Sequence, residues 1–174
     1  MAGEYIVGLG GPSDQKALKL ETRKHRWIHN VMQPETNPNV MRVRIKEMQQ
    51  VYEHCRPVSA STVYNCHGLV FAARRTSIVD DEDVNAILED DGYHPLPWDP
   101  DRWLPGDIVL YRDKVGRIVH SGIIVKNLIS LGEDKVTIEV LSVWGEVGEY
   151  IHPIDEVPVL LGKATDVVSQ RFLT

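Results

Sequence analysis

The sequence predicts an α+β fold, with helices in its first half and an antiparallel sheet in its second half. Over residues 41–92, apolar side chains recur at spacings of three and four, which is typical of amphipathic helices. From Ile108 onward, short apolar runs are separated by turn residues, which indicates strands. The length of 174 residues suits one domain, and a hydrophobic content of 43% is enough for a core.

Three helices are predicted in the first half, each from an apolar stripe with a start or stop signal. They cover residues 41–55, about 66–75, and a segment that begins at Asp80 or Asp81 and stops at Gly92. A loop over residues 57–65 separates the first two. We therefore expect a single domain over residues 1–174, with 1–55 as an N-terminal helical extension and 56–174 as the core.

Four strands are predicted in the second half, over residues 108–111, 118–125, 136–144 and 149–152. The third of these shows the alternation of a half-buried strand, with Val136, Ile138 and Val140 on one side. Because helices come first along the chain and the strands follow, an antiparallel sheet is expected, with the N-terminal helices packed on it.

Composition excludes several classes of protein. Nineteen basic residues against 25 acidic ones give a net charge of −6, which argues against a nucleic-acid partner. No apolar run is long enough for a membrane helix, so no membrane partner is expected. The N-terminal residues lack the basic start and apolar stretch of a secretory signal, so we expect a cytoplasmic protein, or one exported without a classical signal peptide.

Cys66 is the candidate nucleophile. Polar residues lead into it and an apolar helix follows at once, so Cys66 is predicted at a helix N-terminus. Unpaired amides there favour a thiolate, lower the thiol pKa and can hold a developing oxyanion. Gly68 permits close backbone packing one turn into this helix. The alternative is a plain buried thiol, which is also the interpretation of Cys55.

His120 is the candidate base for this thiol. It begins an apolar strand, where a solvated side chain would be unusual, and Gly122 beside it permits another backbone to approach closely. A thiol needs such a group to accept its proton during attack. The alternative is a core histidine hydrogen-bonded to a carbonyl group.

Three segments together resemble the NlpC-type peptidases, papain-like enzymes that include the CHAP amidases. They are Asn65–Phe71 around the cysteine, Leu104–Tyr111 with its Pro-Gly-Asp turn, and Ile118–Val125 around the histidine. The resemblance covers roughly residues 60–152. It implies a papain-like fold with the nucleophile at the start of a helix packed on the sheet. It also implies that Cys66 attacks an amide or related acyl group and that His120 accepts and returns the proton.

The family usually has a third catalytic residue on the strand after the histidine, where it orients the imidazole. Ser142 is the first candidate for this role, with Glu146, Glu139 and His152 as alternatives. The candidate substrate-binding residues are Tyr64, His67 and Trp144. A zinc site built from Cys66, His67, His120 and His152 lacks the close ligand spacing that most zinc sites need, so neither a metal nor another cofactor is expected.

We therefore expect a cysteine peptidase or amidase, a hydrolase that acts on a peptide or another amide-containing substrate. One alternative is a thiol acyltransferase of the same superfamily. Another is a catalytically weak or inactive binding module with that fold. In that case the N-terminal region, residues 1–55, is the candidate surface for a protein partner.

Overall fold

The structure is a computed structural model that describes residues 17–129 and 136–170, and within these ranges the chain forms three α-helices and seven strands. The helices are α1 (Pro38–Val51), α2 (Cys66–Phe71) and α3 (Asp81–Asp90). The strands are β1 (Arg56–Ser59), β2 (His94–Pro95), β3 (Ile108–Arg112), β4 (Ile118–Ile129), β5 (Val136–Val143), β6 (Glu149–Pro153) and β7 (Lys163–Ser169).

The strands form one antiparallel sheet in the order β1-β6-β5-β4-β3-β7-β2. This architecture confirms the predicted α+β class. Strands β3 to β6 begin at the predicted residues, and each pairs with its neighbour in sequence. In the described part of the chain, no helix is both long and apolar enough to cross a membrane.

Alternation along β3 gives the sheet two different faces. Ile108 and Leu110 pack with α3 and the end of α2, and we call this side the α2 face. Val109 and Tyr111 pack with Trp103 on the opposite side, which we call the Trp103 face. A strand residue therefore belongs to one face or the other according to its position in the alternation.

The structure differs from the sequence predictions in several places. Helix α1 covers Pro38–Val51 instead of 41–55, and β2 and β7 lie in segments for which no strand is predicted. Strand β1 occupies part of the predicted loop over 57–65. Helix α2 ends at Phe71, because Ala73 and Arg74 adopt left-handed backbone angles, with φ of 50° and 64°.

A further difference concerns the predicted N-terminal extension, of which residues 1–16 lie outside the described residues. Its helix is α1, whereas residues 17–37 contribute two isolated β-bridges, Glu21 to Trp27 and Val31 to Ser77.

Candidate active site

Helix α2 begins at Cys66, as the sequence predicts, because Asn65 caps it. The Asn65 side chain accepts hydrogen bonds from the Gly68 amide (2.8 Å) and from the Ile78 amide (3.1 Å). It also donates to the Ile78 carbonyl at 2.6 Å. The cap thus ties the first turn of α2 to the chain that follows the helix, and it fixes where the Cys66 side chain lies.

The Cys66 thiol is almost completely buried on the α2 face, with 8% of the residue exposed. It packs with Tyr64, Leu69 and Val143. Burial raises the pKa of the thiol to about 11, although the Ser121 amide and hydroxyl and the amides at the start of α2 favour the thiolate. The expected lowering of the pKa by the helix start is therefore outweighed by desolvation, and the thiol is neutral at rest.

His67 and Ser121 form a buried hydrogen bond beside this thiol. His67 Nδ1 lies 2.9 Å from Ser121 Oγ, and both side chains are buried. Desolvation lowers the pKa of His67 to about 4, so its imidazole is neutral near pH 7. Cys66, Ser121 and His67 therefore form one contiguous group between α2 and β4.

His120 lies on the Trp103 face. It pairs with Tyr111 across β3 and β4, and the two rings approach with centroids 5.1 Å apart. The residue is fully buried, and neither ring nitrogen has a hydrogen-bond partner. Burial, then the charges of His152 and His67, hold its pKa well below the usual value. A buried polar group without a partner costs about 1–3 kcal/mol, so a functional explanation is warranted.

The structure does not bring Cys66 and His120 together in a described contact. Neighbouring residues on a strand point to opposite faces, so only one of His120 and Ser121 faces α2. Ser121 takes that position, as its hydrogen bond to His67 shows. The Cys66–His120 pair stays a prediction. The side chain in hydrogen-bonding contact with the Cys66 thiol is that of Ser121.

Two candidates for the third catalytic residue, Ser142 and His152, lie on the Trp103 face with His120. His152 donates from Nδ1 to the Pro153 carbonyl (2.8 Å), so its Nε2 accepts from the Ser142 hydroxyl (2.8 Å). Trp144 donates its indole N–H to the same hydroxyl oxygen at 3.1 Å. The Ser142 hydroxyl therefore donates its hydrogen bond to His152 and not to His120.

The other two candidates for that role take part in ion pairs with basic side chains. Glu139 pairs with Arg56 at 3.2 Å and with Lys126 at 3.8 Å. The largely exposed carboxylate of Glu146 pairs with Arg44. No described contact joins either carboxylate to His120.

The remaining candidates for substrate binding, Tyr64 and Trp144, are both buried. Tyr64 donates its hydroxyl to Glu149 Oε1 at 2.7 Å. Trp144 stacks on Tyr150 with a centroid distance of 4.6 Å and packs edge-on against Tyr52. In this structure both rings pack inside the protein, whereas a substrate contact needs an exposed ring face.

Sequence reasoning missed Ser121 and Glu149. Ser121 lies inside the histidine motif, and strand alternation marks it as the opposite-facing neighbour of His120 once the phase of β4 is known. Glu149 carries no signal in the sequence, because its partner Tyr64 is 85 residues away along the chain.

Within residues 17–129 and 136–170, no group of three or more His, Cys, Asp or Glu side chains converges to hold a metal ion. Comparison of the chain with protein-family models, with curated proteins and with solved structures finds no match.

Proposed function

We propose that this chain is a cysteine hydrolase that cleaves an amide or related acyl bond, with Cys66 as its nucleophile. The observation that carries the proposal is the buried group of Cys66, Ser121 and His67, in which a thiol lies beside side chains able to take its proton. The resemblance of three segments to NlpC-type peptidases supports it. The α+β architecture, with Cys66 starting a helix packed on an antiparallel sheet, supports the finer proposal of a papain-like fold.

The chemistry requires the thiol proton to leave as sulfur attacks the carbonyl carbon. A C–S bond forms, the carbon–nitrogen bond then breaks, and the leaving amine takes up the proton. Water hydrolyses the resulting thioester and frees Cys66. The family resemblance implies that His120 takes this proton, whereas the side-chain hydrogen-bonding contact with Cys66 that the structure describes is that of Ser121.

Acetylation by p-nitrophenyl acetate tests the nucleophile. We expect the folded wild-type protein to release nitrophenolate and to carry an acetyl group on Cys66, seen by peptide mass spectrometry. Because serine is a much weaker nucleophile than a thiol, Cys66→Ser should slow release at least about 100-fold. The matched variant Cys55→Ser should leave release unchanged, since the described hydrogen bond of the Cys55 thiol is to the Glu156 carbonyl, which takes no proton. Equal release by the wild type and Cys66→Ser would contradict the proposal.

A catalytically inactive binding module is the second candidate, and two observations favour it. The Cys66 pKa is raised rather than lowered, and His120 projects from the sheet face opposite to Ser121. For such a module, acetylation of Cys66 should be no faster than that of Cys55 in the same protein.

A further inference from the structure

We propose that Ser121 and His67 form a buried proton path for Cys66, in which Ser121 touches the thiol and His67 is a positioning residue that acts through it. The inference rests on the proposed function and goes beyond it by naming the group that receives the thiol proton. It also assigns His67 a role different from substrate binding.

The geometry of the path comes from two elements. Ser121, on β4, is fully buried, faces α2 and lies 2.9 Å from His67 Nδ1. A serine hydroxyl has one donor and two acceptor lone pairs, so it can accept from the Cys66 thiol while it donates to the imidazole. His67 is held in place because Asn65 caps the turn that carries it.

A second close contact keeps α2 in this position. A side chain at Gly68 would overlap the carbonyl oxygen of Thr76, so the helix and the following segment touch backbone to backbone. The first turn of α2 is therefore fixed from both the Asn65 cap and the Gly68 contact. A path that needs two successive hydrogen bonds depends on such fixed positions.

The proton transfer balances without another reactant. The S–H bond of Cys66 breaks and its electron pair stays on sulfur, while a new O–H bond forms on Ser121. The original O–H bond of Ser121 breaks as the Nδ1 lone pair of His67 takes that proton. The products are a thiolate, an unchanged serine and an imidazolium. The proton returns along the same route to the leaving amine when the carbon–nitrogen bond breaks.

Both ends of this path are uncharged at rest, because burial raises the Cys66 pKa and lowers the His67 pKa. The transfer therefore accompanies attack instead of preceding it. The titratable neighbour of His67 on α2 is Cys66, and His67 acts electrostatically on His120 across the sheet, as His152 on β6 also does. A proton on His67 therefore disfavours a proton on His120.

The pH dependence of Cys66 alkylation by iodoacetamide tests the path. For the wild type we expect a rate that is nearly constant from about pH 6 to about pH 9, because neutral His67 assists throughout this range. In His67→Asn the side-chain amide still offers Ser121 an acceptor but takes no proton. At pH 7 the alkylation rate of this variant should be about 100-fold below that of the wild type. Because only the thiolate then reacts, the rate should increase about tenfold for each pH unit. Ser121→Ala should behave in the same way.

His120→Asn tests the alternative base that the family resemblance implies. His54→Asn is the matched control, since it makes the same substitution at a histidine whose side chain is largely exposed and lies outside the path. We expect both variants to keep the constant rate. Alkylation of Cys55 in each variant reports loss of the fold, because this buried thiol becomes reactive only on opening. The proposal is overturned if the wild-type rate shows no constant region, if His67→Asn and Ser121→Ala keep it, or if His120→Asn alone removes it.

The two proposals fail in different ways. If p-nitrophenyl acetate acetylates Cys66 while His67→Asn keeps the wild-type alkylation profile, the hydrolase stands and the path is overturned. If the profile depends on His67 and Ser121 but Cys66 is never acetylated, the path stands and the hydrolase is overturned.

Discussion

The buried carboxylate of Glu149 accepts hydrogen bonds from residues on both sides of α2. It lies on β6 with 2% of the residue exposed, and it accepts the Tyr64 hydroxyl at 2.7 Å. The Arg74 guanidinium donates to the same carboxylate from the left-handed turn that ends the helix. One carboxylate therefore fixes the residue two positions before Cys66 and the turn three residues after α2.

We predict that Glu149→Gln lowers the free energy of unfolding by about 1–3 kcal/mol, because it removes the charge that balances Arg74 in a buried site. The measurement is urea denaturation at pH 7. Glu89→Gln is the matched control, since its largely exposed carboxylate pairs with Arg26 at the surface, and it should change stability by less than about 0.5 kcal/mol. Equal losses in the two variants would show that the Glu149 contacts contribute no more than a surface ion pair.

At this scale the sequence predicted Cys66 at a helix start and His120 as its partner, but not the contact of Cys66 with Ser121. The cap residue Asn65 and the apolar residues after Cys66 predict the helix start from local signals alone. The pKa of the thiol depends on how deeply the helix is buried, a tertiary property that local signals do not carry. For this reason the predicted direction of the pKa shift and the structure disagree.

At the scale of elements, the phase of one strand decides which side chain faces Cys66. The sequence predicts β4 at its observed start, but a shift of one residue in the alternation exchanges His120 and Ser121 between the faces. Both positions are compatible with a buried strand, because both side chains are fully buried. Only the pairing with β3 and the contact with His67 fix the phase.

Three strands were not predicted from the sequence: β2 has only two residues, and β1 and β7 lack a clear alternating pattern for physical reasons. β1 is an edge strand that contains Pro57 and is mostly exposed, so it has no apolar face to detect. In β7 the pairing with β3 shifts between Ala164 and Asp166, which interrupts the alternation.

The contact between α2 and the segment after it predicts a large effect of Gly68→Ala. An added methyl group meets the Thr76 carbonyl, which is backbone and cannot rotate away, so we expect a loss of about 3 kcal/mol in unfolding free energy. Gly116→Ala is the control, because its Cβ meets no atom within 4 Å and only its φ of 86° opposes the change. That variant should lose about 1 kcal/mol by urea denaturation. A similar loss in both would refute the backbone contact.

At the scale of the whole molecule, three buried histidines, His67, His120 and His152, lie on α2, β4 and β6. Burial lowers the pKa values of His67 and His152 to about 4 and that of His120 well below its usual value. The charges of His152 and His67 act on His120, so the three rings form one electrostatic unit that spans the sheet. Folding therefore keeps three imidazoles neutral that would take up protons in the unfolded chain near pH 6.5.

This unit predicts that the protein loses stability as the pH falls from 7 to about 5.5. Each folded-state pKa is below its unfolded value, so the unfolded chain binds more protons, and each histidine contributes up to about 1.4 kcal/mol of loss per pH unit below about pH 6.5. Carboxylates with lowered pKa values, Glu35 and Asp90 among them, add their own losses only below about pH 5. Urea denaturation across the upper range therefore isolates the histidines. His120→Leu removes one titrating ring and should reduce the slope by about one third. A slope that His120→Leu leaves unchanged would mean that His120 is not kept neutral by folding.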